Sequence, residues 1–384
     1  MWIVLTAASS LLLGWELCAR VWRGDDLRSC ERAAFAAIVA SALWLGTAWL
    51  LALVHWLTRP MLIARTLLFA LAAIVVLLRR ARIERWRERL DQQVDATTLK
   101  RWLLPLVPVV LWVFFVAWRG LLLPPLSHDA LSYHMPKALF FARAAGYTDL
   151  ADVRFLVTAR PSNYELLLAE SIVMSGNDDT TEWISVLMYL GFIIAAAAMA
   201  QRWSDGDRAS TMIVALLTAA SPVVLLHSGA HKNDVMTAFF VVAGLVAAGR
   251  WFATRERASL VICAAAFALG IGTKAHAFLV PLFLLPFIAW HARRELKRLA
   301  VPALAAIVFF FALGAWEEPA AVLKHAETPA TASAGQKTPG YGAWRNVWRG
   351  AYVLLAAPFS TDSYELSVPW SKGTWYWRRY EIYF

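Results

Sequence analysis

The sequence predicts an all-α polytopic membrane protein, and three observations lead to that fold class. The 384 residues are 60% hydrophobic and 17% charged, with a mean hydropathy of +0.53. A water-soluble chain of this length could not bury so much apolar surface. The apolar residues also form runs long enough to cross the hydrocarbon core, which takes about 20 residues of helix. The 20 tryptophans suit the aromatic belts at the two membrane surfaces.

The apolar runs predict about ten transmembrane helices. They occupy residues 2–19, 33–57, 61–78, 102–123, 181–201, 209–227, 234–252, 258–273, 277–291 and 299–315. The first run has no basic region before it and no small-residue cleavage site after it. We therefore expect it to stay in the protein as a helix rather than to be removed as a signal peptide.

The runs divide the chain into three parts. Residues 1–101 hold N-terminal transmembrane helices and a charge-dense segment, which we expect on the cytoplasmic surface of the membrane. Residues 102–315 form the transmembrane core, and residues 124–180 within it are predicted to be a large extracytoplasmic loop. Residues 316–384 form a further extracytoplasmic loop and a C-terminal segment.

Two short helices are predicted inside the large loop. One runs from Pro136 to Ala145 and is closed by Gly146, and the other runs from Arg160 to Gly176. Both are too short or too polar to cross a membrane, so we expect them to lie at the interface. On the first helix, Lys137 is expected on the exposed surface.

The net charge of +10 is explained by the membrane and predicts no nucleic-acid partner. If residues 79–101 are cytoplasmic, the arginine-rich separators all fall on the same side, as the positive-inside rule requires. These separators are residues 20–32, 201–208, 254–257 and 291–298. The three cysteines form no paired motif, which excludes a disulfide framework and a cysteine metal site.

The opposite side collects three groups of ionisable residues. The first is residues 127–137, the second is His227 with residues 231–234, and the third is residues 272–276. Ionisable groups at a membrane boundary are costly, so their shared side indicates a functional site. Glu317 and Glu318 are expected on this side as part of a solvated loop.

Asp129 is the candidate for chemistry in the first group. A carboxylate at a membrane surface can act as a general base for an acceptor hydroxyl or amine. The alternative is that Ser127 or Asp129 caps the following helix. His128 and His134 could bind a divalent cation together with Asp129, although their spacing matches no known metal motif; otherwise they are hydrogen-bonded polar groups.

The other two groups suit an anionic, sugar-bearing substrate. Lys232 and Lys274 offer compact positive charges for a phosphate, as does Arg160, and Asn233 or Asp234 could bind sugar hydroxyls. The alternatives are that residues 231–234 form a turn that opens the next helix and that Lys274 extends along the membrane surface. No nucleotide-binding glycine motif is present, so any reaction would use a substrate that is already activated.

The run His128-Asp129-Ala130-Leu131-Ser132-Tyr133-His134-Met135-Pro136-Lys137-Ala138, directly after a predicted span, resembles the GT-C superfamily of membrane glycosyltransferases. The resemblance is to the bacterial branch of protein-mannosyltransferase-like and lipid A aminoarabinose-transferase-like enzymes. Residues 161–167, Lys232-Asn233-Asp234 and Gly272-Thr273-Lys274 follow the same pattern in the same order. The resemblance covers residues 102–315.

The resemblance implies an enzyme of the bacterial inner membrane that takes a sugar from a polyprenyl-phosphate donor on the extracytoplasmic side. The acceptor would be a lipid, a glycan or a protein. Asp129 would be the base, while Lys232, Lys274 and Arg160 would hold the phosphate. The other residues expected to contact substrate are Tyr133, His134, Asn163, Asp234 and His276.

Two questions stay open at this point. Many relatives have a second acid beside the first-loop aspartate, and His128 stands there instead, so a divalent cation cofactor is neither required nor excluded. A transporter or flippase of a lipid-linked anion is the alternative function, and it would place charges near the middle of the membrane. A scaffold without activity is a third reading.

Overall fold

The computed structural model describes residues 2–22, 27–79, 129–147, 161–228, 231–294 and 296–317, with a few single residues between 107 and 118. All regular structure within these ranges is helical, as the sequence predicts. Most of the predicted span 102–123, the charge-dense segment after Arg79 and the C-terminal segment lie outside the described residues.

The α-helices are α1 (Trp2–Val21), α2 (Ser29–Leu53), α3 (Arg59–Arg79), α4 (Met135–Arg143), α5 (Asn163–Ser175), α6 (Glu182–Trp203), α7 (Arg208–Ala220), α8 (Pro222–Ser228), α9 (Asp234–Thr254), α10 (Arg257–Ile271), α11 (Leu279–Ala292) and α12 (Ala300–Ala312). A π-helical turn, Ala130–His134, leads into α4. The 3₁₀ turns Ala275–Phe278 and Leu296–Leu299 lead into α11 and α12.

Six of the predicted spans are helices long and apolar enough to cross a membrane. They are α1, α2, α3, α6, α9 and the segment Ala275–Ala292, and three further apolar helices, α7, α10 and α12, are shorter. The outer helices expose large apolar side chains, with Leu68 62% and Phe283 70% accessible. Such surfaces are stable against lipid and not against water. The chain is therefore a helical integral membrane protein.

α2, α6, α9 and α10 form the centre of the bundle. α2 contacts α1, α6 and α10, and α9 packs along both α6 and α10. Glycines let aromatic rings approach the helix backbones: a Cβ on Gly191 or Gly244 would lie 3.1 Å from the ring of Phe239 or Phe267, respectively. Small residues at helix contacts allow the close packing that holds membrane helices together.

The predicted span 209–227 is wrong as a single helix. The chain turns at Ser221, whose ψ of 121° is extended, and α7 and α8 lie on either side of it. Pro222 has no N–H to donate and disfavours helical geometry at the residue before it, so the helix ends there.

At one end of the bundle, charged side chains tie several helices together. Buried Glu31 at the start of α2 accepts from Arg202 of α6 at 2.7 Å and from Arg250 of α9 at 3.4 Å. Arg250 also binds Glu256 at 3.0 Å, and the indole of Trp22 donates to Glu256 at 2.7 Å. We call this the basic end. The structure thus brings together separators that the charge pattern assigns to one side.

We predict that Gly14→Ala destabilises the bundle. Gly14 of α1 lies against α2, and a Cβ there would overlap the backbone carbonyl oxygen of Ala36, which cannot move without its helix. Overpacking of this kind costs about 1–3 kcal/mol, so the melting temperature in detergent should fall by several degrees. Gly46→Ala is the matched control, because its Cβ would meet only Leu313 at an ordinary 3.6 Å. Equal melting temperatures for the two variants would contradict this packing.

Candidate functional site

The three ionisable groups predicted to share one side meet at the end of the bundle opposite the basic end. The carboxylate Oδ2 of Asp129 lies 3.7 Å from the Nζ of Lys232. Beside Lys232, the side-chain amide of Asn233 donates to the backbone carbonyl of Thr273 at 2.8 Å. These contacts join the segment before α4, the turn before α9 and the turn before α11.

Asp234 forms a second charged cluster in the same region. Its carboxylate forms a salt bridge with Lys274 through one oxygen and lies 3.0 Å from the Nδ1 of His227 through the other. Lys274 therefore has an internal anion as its partner. Asp234 is the first residue of α9, where a negative charge is favoured by the helix dipole.

Solvent exposure distinguishes an accessible rim, formed by Asp129, Asp234 and Lys274, from a buried base, formed by Lys232. The side chains of Asp129 and Asp234 are 36% and 35% accessible, and that of Lys274 is 30% accessible. Lys232 is only 8% accessible. A buried ammonium group needs an anion close by. The arrangement therefore offers two lysines whose carboxylate partners could be exchanged for the oxygens of a phosphate.

The π-helical turn sets the position of Asp129. The backbone N–H of Met135 donates to the carbonyl of Ala130, five residues earlier, and π turns of this kind are frequent at functional sites. Asp129 precedes the turn and makes no side-chain capping hydrogen bond. The alternative in which Asp129 caps the helix is therefore wrong, and its carboxylate turns to Lys232 instead.

His134 is buried behind the π turn. Its Nδ1 lies 2.6 Å from Oε1 of Glu165, and both side chains have no accessible surface. The ring of Tyr164 meets it edge-on at 5.2 Å, and Tyr133 is 4% accessible. Within the described part of the chain, the Nε2 of His134 and the Oε2 of Glu165 have no hydrogen-bond partner. His134 is therefore a buried residue that Glu165 holds in place beneath the site.

Lys137 and Glu317 contradict the sequence interpretation. Lys137 was expected on a helix surface and Glu317 in a solvated loop, but their side chains are 2% and 5% accessible and pair at 3.3 Å. Ser162 also donates to Glu317. Burial raises the pKa of Glu317, while Lys137 and Ser162 oppose that shift. The pair forms because α4 packs against α5 and the turn after α12 reaches their ends.

Asn163 joins four parts of the chain beneath the site. Its Oδ1 accepts from the indole of Trp49 at 2.6 Å, and its Nδ2 donates to the carbonyls of Leu269 and Leu313 at 3.1 and 3.0 Å. Its backbone N–H donates to Gly272 at 2.9 Å. The amide is fully buried, so Asn163 holds α2, α5, α10 and the end of α12 together.

Two glycines are required where the chain segments around Asn163 come close together. A Cβ on Gly272 would lie 2.5 Å from the Nδ2 of Asn163 and would overlap the carbonyl of Leu313. Gly314 has a φ of +74°, and a Cβ there would lie 2.6 Å from the Nε1 of Trp49. The turn that carries Lys274 is thus fixed against Asn163 by steric contact as well as by hydrogen bonds.

The two short helices of the large loop form, with differences from the prediction. α4 begins before Pro136, after the π turn, and the left-handed residue at its end is Ala145 with a φ of 52°. Gly146 is needed because the backbone of α2 passes close by, with the Ala52 carbonyl 2.5 Å from a Cβ. α5 ends at Ser175 with the predicted Gly176 as its left-handed cap, but residues 163–171 are buried rather than spread over an interface.

Of the remaining predicted residues, one is described by the structure and stands apart from these contacts. His276 is exposed in the 3₁₀ turn before α11. Arg160, His128 and Ser127 lie outside the described residues. Within the part of the chain that the structure describes, no three His, Cys, Asp or Glu side chains form a group that could hold a metal ion. The divalent cation stays a prediction from the sequence, since His128 lies outside the described residues.

Acidic residues that support the site were missed by the sequence interpretation. Glu182 lies 3.0 Å from the Nδ1 of His231. Glu170 accepts from Arg65 through both oxygens and from the indole of Trp44 at 2.7 Å. A single glutamate within an apolar run is the signal that could have found Glu170, because an isolated charge there needs a buried partner.

A scan against protein-family models found no matching family, and searches of curated proteins and of solved structures found no match either.

We predict that Asn163→Ala destabilises the protein strongly. The change leaves the Trp49 indole and the Leu313 carbonyl buried without this partner, while the Leu269 carbonyl keeps the Thr273 hydroxyl as a donor. Unsatisfied groups cost about 1–3 kcal/mol each, and a total of about 2–4 kcal/mol allows for some relaxation. Thermal unfolding in detergent measures the loss. Asn177→Ala, in an exposed turn, is the control and should leave the melting temperature nearly unchanged. A similar small effect at Asn163 would disprove its joining role.

Proposed function

We propose that this protein transfers a sugar from a polyprenyl-phosphate donor to a lipid, glycan or protein acceptor at the extracytoplasmic face of a bacterial inner membrane. One contact supports this above all, the 3.7 Å approach of Asp129 to Lys232. It puts a partly accessible carboxylate beside a buried cation, which are the two groups that such a transfer needs. The side of the membrane follows from the positive-inside rule applied to the basic end.

Lys232 and Lys274 would bind the phosphate of the donor. The amide of Asn233 connects the two turns through Thr273, so the lysines are held by one scaffold. Negative charge develops on the phosphate as the sugar leaves, and fixed cations that face this charge lower the barrier. In the free protein the lysines are paired with Asp129 and Asp234, and the phosphate would take over these positions.

Asp129 would act as the base. The acceptor oxygen attacks the anomeric carbon, the bond from that carbon to the phosphate oxygen breaks, and the polyprenyl phosphate leaves with the electron pair. The acceptor proton passes to the Asp129 carboxylate. A single displacement inverts the anomeric carbon, and because the phosphate leaves as an anion that needs no proton from a general acid, one carboxylate serves rather than two. Binding of phosphate to Lys232 would release Asp129 for this role.

The distribution of charge favours this enzyme over a transporter. A transporter of a lipid-linked anion needs ionisable groups near the middle of the membrane. None of the six candidate spans in the described residues carries an ionisable side chain in its central turn. Most of the described charges gather instead at the two ends of the bundle, and the buried Arg65–Glu170 pair, which also accepts from the Trp44 indole of α2, is an exception.

We predict that Asp129→Asn reduces sugar transfer by at least a hundredfold, because general-base catalysis contributes about 10²–10⁴ in rate. The assay follows radiolabelled sugar from a polyprenyl-phosphate donor to an acceptor in membrane vesicles. Asp179→Asn, an exposed aspartate in the turn before α6, is the matched control and should keep full activity. Unimpaired transfer by Asp129→Asn would remove Asp129 as the base.

We predict a different kinetic effect for Lys274→Gln. This lysine is on the accessible rim and would bind the ground-state phosphate, so the KM for the donor should rise about tenfold with a smaller change in kcat. Donor-dependence curves for purified protein measure both constants. A loss confined to kcat, with an unchanged KM, would argue against a donor-binding role for Lys274.

A further inference from the structure

A cavity at the basic end is separate from the site proposed above. Its volume is about 380 Å³, within the range of about 300–1,000 Å³ that is usual for small-molecule sites. It lies where α9 ends, α10 begins and α11 ends. Basic side chains dominate its lining, and they are Arg255, Arg257, His291, Arg293 and Arg294.

The described lining of the cavity carries only positive charge. Among the described residues, no acid lines it. Glu256, which stands between Arg255 and Arg257, turns its carboxylate away to Arg250 and to the indole of Trp22. Positive charge concentrated in a concave surface attracts anions strongly.

Two tryptophans hold the guanidinium groups in place. Arg255 lies over the ring of Trp251 at 4.8 Å, and Arg293 lies over that of Trp290 at 4.0 Å. A guanidinium stacked on a ring keeps its N–H edge available, and this planar fork fits the oxygens of a phosphate. Ordered arginines lose less entropy on binding than free ones do.

The neighbouring surface of α11 is apolar and exposed. Phe283 is 70% and Phe287 is 62% accessible, and Trp290 at the end of the same helix is 64% accessible. An acyl chain could lie along this face while its headgroup enters the cavity. Basic pockets of this kind at helix ends bind the headgroups of anionic lipids.

We propose that this cavity binds a phosphate ester, supplied by the headgroup of an anionic phospholipid. A soluble phosphate compound has the same chemistry, and the experiment distinguishes the two sources. Binding here would anchor α9, α10 and α11 at the basic end and is independent of sugar transfer at the opposite end.

The test uses the full-length protein and the variant Arg293→Gln/Arg294→Gln, whose two side chains are exposed. Native mass spectrometry titrates phosphatidylglycerol against phosphatidylcholine in detergent, and calorimetry titrates inorganic phosphate. Each basic side chain near an anionic headgroup contributes roughly a fivefold factor in affinity, so the variant, which lacks two of them, should bind phosphatidylglycerol about twenty-five-fold more weakly. Arg208→Gln, an exposed arginine at the start of α7, is the control and should bind as the unchanged protein does.

A second variant separates binding from folding. Arg255 closes α9 with a φ of 61°, a left-handed conformation that glycine adopts without strain. Arg255→Gly should therefore keep the melting temperature while it weakens phosphatidylglycerol binding about fivefold.

Selective loss of phosphatidylglycerol binding in both variants supports the lipid source, and loss of inorganic phosphate binding alone supports a soluble source. The proposal is overturned if the protein binds phosphatidylglycerol no better than phosphatidylcholine and does not bind inorganic phosphate. It is also overturned if Arg208→Gln weakens binding as much as the cavity variants do.

Discussion

The buried side-chain amide of Asn163 is the interaction on which the candidate site depends. Its three hydrogen bonds reach α2, the end of α10 and the turn after α12, and its backbone N–H binds Gly272. An amide in an apolar interior must use all of these partners. The turn that carries Lys274 is therefore fixed to the start of α5, and the Asn233 bond to Thr273 fixes the Lys232 turn to it.

The bundle keeps most of its described ion pairs at two ends, apart from the buried pair of Arg65 with Glu170. At the basic end, Glu31 binds arginines from α6 and α9 and so sets the ends of three helices. At the other end, Asp129 and Asp234 bind lysines but remain about one-third accessible. In the first network the charged side chains bind one another, and these contacts hold the helix ends together. The second keeps carboxylates at the surface, where substrate oxygens could replace them as partners of the lysines.

Hydrophobic runs and charge were sufficient to predict much of the fold. Run length gave the positions of the six long helices, and arginine-rich separators indicated which ends meet, because both signals are local and the membrane imposes them. The break before Pro222 was visible in the sequence but was outweighed by continuous hydropathy. The pairing of Lys137 with Glu317 could not be predicted, because it depends on contacts between distant segments. Likewise, the resemblance placed Asn163 at the site, but only its burial assigns it a joining role.

The most direct test of the account is a zero-length cross-link between Asp129 and Lys232. A carbodiimide joins a carboxylate to an amine only where the two are in contact, and mass spectrometry of the digested protein identifies the linked peptides. The account predicts this amide bond in the free protein and its suppression by polyprenyl phosphate, which would occupy Lys232. Absence of the cross-link, or a yield that polyprenyl phosphate leaves unchanged, would contradict a phosphate-binding site at these residues.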